Sequence, residues 1–103
     1  MILVAELRVR DRDKLMRYAA EVQPLMARYG GHILATSAAG VRVLEGDWEP
    51  NLLVVHRWRS RAGFEAFWSS AEYQPVKQLR HEACESRIAV FDGLPEPVAS
   101  PPT

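Results

Sequence analysis

Apolar residues along this chain follow two alternating rhythms. In MILVAELRV (Met1 to Val9), Leu3, Ala5, Leu7 and Val9 recur at every second position, the period of a β-strand with one inward face. Asp11 is a good N-cap, and after it Leu15, Tyr18, Ala19, Val22, Met26 and Tyr29 recur at helical spacing. Pro24 interrupts that seam and is expected to kink or divide the helix, because it removes a backbone donor. Gly30-Gly31 then ends it. His32 to Thr36 predicts a second strand, which Val41 to Leu44 either continues past a bulge at Ala39-Gly40 or meets as a hairpin arm. Asn51 to Trp58 predicts the third strand and Arg87 to Phe91 the last. Between these two, Ser60 caps a helix with Phe64, Phe67, Trp68 and Ala71 on one face. Ser69 or Ser70 caps another helix, which carries Tyr73, Val76, Leu79 and Ala83.

That order, βαββαβ, predicts an α+β protein of ferredoxin-like arrangement, an antiparallel sheet with helices on one face. Leu52, Val54, His56 and Trp58 alternate with Leu53, Val55 and Arg57, while Ile88 and Val90 alternate with Ala89 and Phe91. Both sheet faces are therefore largely apolar, yet helices cover only one. An uncovered face forfeits about 25 cal/mol for each Å² left wet. A second copy packed sheet to sheet about a two-fold axis removes that loss, so a homodimer is expected. Residues 1–93 are expected to form one domain, and 94–103, with Pro95, Pro97, Pro101 and Pro102, a flexible tail.

Composition narrows the function classes. In 103 residues, 13 basic and 13 acidic side chains cancel, so no field steers the chain to nucleic acid or to an anionic membrane. The apolar run Met1 to Ala5 is too short for a membrane span and lacks a signal peptide's basic start, so a cytoplasmic location is expected. Cys84 is the single cysteine and is expected to fill core space on the last helix. No histidine pair has metal-binding spacing, and there is no glycine-rich phosphate loop or nucleophile elbow, so neither metal nor cofactor is expected. Arg57, Arg59 and Arg61 surround Trp58 and suggest an anion or RNA contact, but the stacking aromatics of RNA-binding sheets are missing.

Several segments together carry a family likeness: Asp11 to Tyr18, Tyr29-Gly30-Gly31, Leu44 to Trp48 (LEGDW), Trp58-Arg59-Ser60 and Phe67 to Arg80 (FWSSAEYQPVKQLR). In this the chain resembles domain-of-unknown-function family 1330, of the dimeric α/β-barrel superfamily. The resemblance reaches nearly to Gly93 and is most specific at Ser70, Glu72, Tyr73 and Gln74, followed by Arg80. It implies a ferredoxin-like protomer and a dimer whose two sheets close a barrel. Superfamily relatives include cofactor-free monooxygenases, muconolactone-type isomerases, polyketide cyclases and ligand-sensing domains, so an activity taken from them rests on fold alone. The family usually reads Glu-Phe-Pro-Ser where this chain has Arg57-Trp58-Arg59-Ser60. Arg57 is expected to reach Glu6 on the neighbouring strand instead.

His56 is the candidate base. It shares a strand face with Val54 and Trp58, which turns it toward the helix–sheet cleft, where superfamily ligands bind. The plainer reading is a core histidine hydrogen-bonded to a tyrosine or a carbonyl. Tyr18, Trp48, Trp58, Trp68, Tyr73 and Arg80 are candidate binding residues for a flat hydrophobic or polyketide-like molecule. Trp68 also fits the core, and Trp48, in a turn-like segment, covers either the pocket mouth or a partner subunit. Arg80 either holds a substrate carboxylate or pairs with Glu72 or Glu85 on the helix surface, the latter being the simpler expectation. His32 and His81 are expected to be solvated. Two functions follow: a cofactor-independent isomerase, cyclase or oxygenase, or a non-catalytic ligand-binding or dimerisation module. An open cleft walled by His56 favours the first, and a cleft filled by Trp58, Phe64 and Trp68 the second.

Overall fold

The chain, in a computed structural model describing residues 1–95, runs through seven elements. These are β1 (Ile2–Val9), α1 (Arg12–Arg28), β2 (Gly31–Thr36), β3 (Leu52–Trp58), α2 (Arg61–Ser69), α3 (Tyr73–Ala83) and β4 (Cys84–Phe91). The strands form one antiparallel sheet in the order β2-β3-β1-β4, so the first strand of the chain sits inside and the hairpin β2-β3 pairs with it through β3. This is the ferredoxin-like arrangement. The helices start where the sequence offers oxygen caps: the Lys14 amide donates to Asp11 Oδ1 at 3.1 Å and the Gly63 amide to Ser60 Oγ at 3.0 Å.

Period-two alternation sorts the sheet into two faces. Leu3, Ala5, Leu7, Val54 and Trp58 are buried against Val22, Leu25 and Met26 of α1, Phe64 and Phe67 of α2, and Tyr73 of α3. Trp58 anchors one end, with ring centroids 5.2 Å from Phe64 and 4.9 Å from Phe67. Gly31 makes room for it, since a Cβ there would stand 2.6 Å from the indole. Gly30, at φ 88, supplies the left-handed turn out of α1. The opposite face carries Val4, Glu6, Leu53, Val55, Arg57, Ala89 and Phe91 and receives no helix.

Five expectations need correction. Pro24 does not divide α1, which runs unbroken through it. The proline sits on the exposed side, where water can satisfy the carbonyl of Ala20 that it leaves without a donor. Val41 to Leu44 is neither a strand extension nor a hairpin arm. Gly40, at φ 119, turns the chain away from the edge strand, and Leu44 is 80% exposed. The register irregularity falls between Ile33 and Ala35 rather than at Ala39-Gly40. Strand β4 begins at Cys84, so the buried cysteine opens the strand rather than lying on the last helix, and Cys84, Glu85 and Ser86 pair with Val9, Arg8 and Leu7. Finally, Arg57 stands opposite Ile2, whereas Glu6 faces Leu53 and Arg87 and accepts from the Asn51 amide at 3.2 Å. The expected Glu6–Arg57 pairing is thus displaced by four residues of strand. Of the proposed tail, all but residues 94 and 95 lies outside the described residues.

Candidate functional site

The helices do not fill the space above the sheet. Between α1, α3 and the inner face of the sheet lies a cavity with about 180 Å³ open to the centres of water-sized molecules. Its floor is apolar (Leu3, Ala5, Val54 and Ile88), and Val22 and Met26 of α1 form much of its roof. Exposed Met16, Thr36 and Ala38 mark its mouth. Trp58 and Phe64 do not line it and pack edge to face against each other. Five of the seven candidate residues line it: Tyr18, His56, Trp68, Tyr73 and Arg80.

His56 is on the wall because strand alternation turns it to the same side as Val54 and Trp58 and sends Arg57 to the other. Its Nδ1 is buried without a hydrogen-bond partner, so the tyrosine or carbonyl bond of a core histidine is not made there. Burial, and secondarily the nearby His32, push its pKa down to about 4. His56 is therefore neutral near pH 7. His32 and His81 are exposed.

A second polar group faces the cavity from α1 and α3. The Tyr18 and Tyr73 hydroxyls lie 3.1 Å apart, and burial together with the Tyr73 hydroxyl drives the Tyr18 pKa far above the ordinary phenol value. Tyr18 is thus a permanent hydrogen-bond donor. Beside them stands Arg80, only 3% exposed, which overturns its expected place on the helix surface. The carboxylates expected to pair with it are engaged elsewhere, Glu72 with Arg28 and Glu85 with Arg10 and Arg8. Arg80 Nη1 donates instead to Ser86 Oγ at 2.6 Å. Its guanidinium lies 5.9 Å from both the Tyr18 and Trp68 ring centroids.

The segment that carries the family likeness builds this end of the cavity. Tyr73 and Arg80 are seven residues apart on α3, two turns along one helix face. Ser70 fixes the start of that helix, accepting from the Tyr73 amide at 3.2 Å and donating to the Phe67 carbonyl at 2.8 Å. The Gln74 amide ties down the carbonyls of Trp68 and Ser70 at 3.1 and 2.9 Å. Glu72 binds Arg28, which docks α3 to α1. The motif is a joint between helices that presents Tyr73 and Arg80 inward.

His56 and Arg80 are not neighbours. His56 pairs with Leu3, while Ser86, which holds Arg80, pairs with Leu7. Four residues of strand separate these levels, about 13 Å at 3.3 Å per residue. Two candidates leave the site. Trp58 is core, and Trp48, 51% exposed, lies by Val4, Glu6 and Leu53 on the open sheet face. Ser86, Met16 and Ile88 belong to the site and had not been singled out for it. The alternation Cys84, Ser86, Ile88, Val90 signals Ser86's inward face once the strand is extended to Cys84. Among the described residues no cluster of His, Cys, Asp or Glu is placed to hold a metal ion, and no helix is long and apolar enough to cross a membrane.

The family model for a domain of unknown function, DUF1330, matches residues 2–94. Two crystal structures of a protein of unknown function from Rhodopseudomonas palustris, one of them methylated, are similar at 18% identity, with TM-scores of 0.75 and 0.73. They cover 94% and 91% of this chain and 82% of their own. A variant of SnoaB, a cofactor-independent oxygenase from Streptomyces nogalater, is similar at 16% identity and a TM-score of 0.60, covering 94% of this chain and 96% of that one. At such identities the likeness is one of fold, the dimeric α/β-barrel type. No curated protein matches the chain.

Proposed function

We propose, for a chain that belongs to the DUF1330 family, that the cavity binds a hydrophobic small molecule and that His56 removes a proton from it without a cofactor. The observation that carries this reading is the open apolar space with a neutral, unpartnered imidazole nitrogen in its wall. A base with a pKa of about 4 is weak, so the proton it takes must already be acidic. The carbon between two carbonyls qualifies, and flat, polyketide-like molecules carry it. The C–H bond breaks, its proton moves to the imidazole, and the electron pair spreads onto the carbonyl oxygens. Return of the proton to another carbon isomerises the molecule, attack on a second carbonyl closes a ring, and capture of dioxygen oxygenates it. SnoaB, a cofactor-independent oxygenase of the same fold, supports the class of chemistry but not the substrate.

Benzoylacetone, a hydrophobic 1,3-diketone, tests this in deuterium oxide. The protein should speed deuterium uptake at the central carbon, and His56→Gln should return the rate to that of buffer while binding persists. Binding without acceleration by the unaltered protein would instead identify a non-catalytic ligand-binding module, and absence of binding a scaffold. We also propose that the protein acts in the cytoplasm as a homodimer through the sheet face bearing Leu53, Val55 and Arg57.

A further inference from the structure

We infer that the ligand carries a carboxylate and that Arg80 is its receptor, which rests on the cavity being a ligand site. A guanidinium has five N–H donors and keeps its charge at any physiological pH. Burying such a charge costs several kcal/mol unless an anion and full hydrogen bonding offset it. Arg80 is buried to the same degree as the apolar core, yet among the described residues no carboxylate pairs with it. Its protein partners are neutral hydroxyls, Ser86 Oγ and the phenols of Tyr18 and Tyr73, and its Nε has none. The aromatic faces of Tyr18 and Trp68 stabilise the charge only partly, at 5.9 Å from each centroid.

The guanidinium therefore has neutral acceptors but no anion among the described residues, and it faces a cavity that is apolar apart from His56, Thr36 and the two tyrosines. A carboxylate suits this guanidinium for three reasons. It is planar and matches the guanidinium fork, it brings the missing negative charge, and it accepts from the Tyr18 hydroxyl, which burial keeps protonated. A phosphate dianion is the poorer match, since one buried cation leaves its second charge uncompensated. With the head at Arg80, an apolar body lies over Ala5, Val54 and Val22, and its far end reaches the level of His56. The roughly 13 Å between these levels suits a molecule of one or two rings with a short side chain.

Cinnamate and cinnamamide separate the two claims, being of one shape with and without the charge. Binding is followed on the intact protein by titration calorimetry, with the Trp68 indole resonance reporting occupancy of the cavity. Cinnamate should bind at least about tenfold more tightly than the amide, the usual margin for a charge-assisted pair. Arg80→Met, similar in length and uncharged, should abolish or reverse that preference, while Arg80→Lys should keep part of it. Equal binding of acid and amide would overturn the carboxylate assignment and leave the cavity a ligand site. Binding of neither would remove both. Should Arg80→Met fail to fold, the comparison of acid with amide on the unaltered chain still decides.

Discussion

His56 shows how one buried side chain couples the site to pH. Its pKa is about 4 in the folded chain and 6.5 when unconstrained. Between these values the unfolded chain takes up a proton that the folded chain refuses, so stability is full above pH 6.5 and falls as pH drops toward 4. The loss amounts to at most about 3 kcal/mol. His56→Gln should remove that part of the slope, so between pH 6.5 and 4.5 the urea midpoint of the parent should fall further than that of the variant. Midpoints that stay parallel across that window would show His56 to be solvated. The placement of His56 was legible in the sequence, because strand alternation fixes a side chain's face whatever its chemistry. Arg80 was not. Flanked by Gln78, His81 and Glu82, it reads as part of a solvated helix surface. Only the fold brings Tyr18 of α1 and Ser86 of β4 around it.

At the scale of elements, regular periodicity carried the reading and end effects broke it. Strands β1 and β3 and all three helices lie where their apolar spacing places them, to within a few residues. Strand β4 starts three residues early because its polar opening, Cys84-Glu85-Ser86, is held by the ladder to β1, a long-range partner that no local pattern announces. Val41 to Leu44 has the composition of a strand but finds no partner once Gly40 turns the chain outward. In α1, Pro24 persists at an exposed position, where its cost is a missing backbone bond rather than a clash with the core. Pro24→Ala should therefore stabilise the protein, by about 1–3 kcal/mol, as a rise in urea midpoint with unchanged slope. A destabilised variant would mean that the packing of Leu25 and Met26 depends on the proline ring itself.

At the scale of the whole molecule, the open sheet face makes the clearest demand. Val4 and Phe91 are exposed on it, and Leu53 and Val55 are only half-covered. Sedimentation at micromolar concentration should find a dimer. Val55→Lys, which places a charge at the centre of that face but outside the core, should yield a folded monomer. A monomeric parent protein would leave the face without a partner and refute the homodimer. The connection from residue 37 to residue 51 extends what this face controls. At one end Ala38 rims the cavity, and at the other Trp48 rests on the face where the second copy is proposed to dock. This one segment therefore touches both places. Thermodynamic reciprocity then binds the two events: if occupancy of the cavity tightens self-association by some factor, self-association must tighten occupancy by that same factor. The protein's own concentration becomes, in that case, an effector of its affinity.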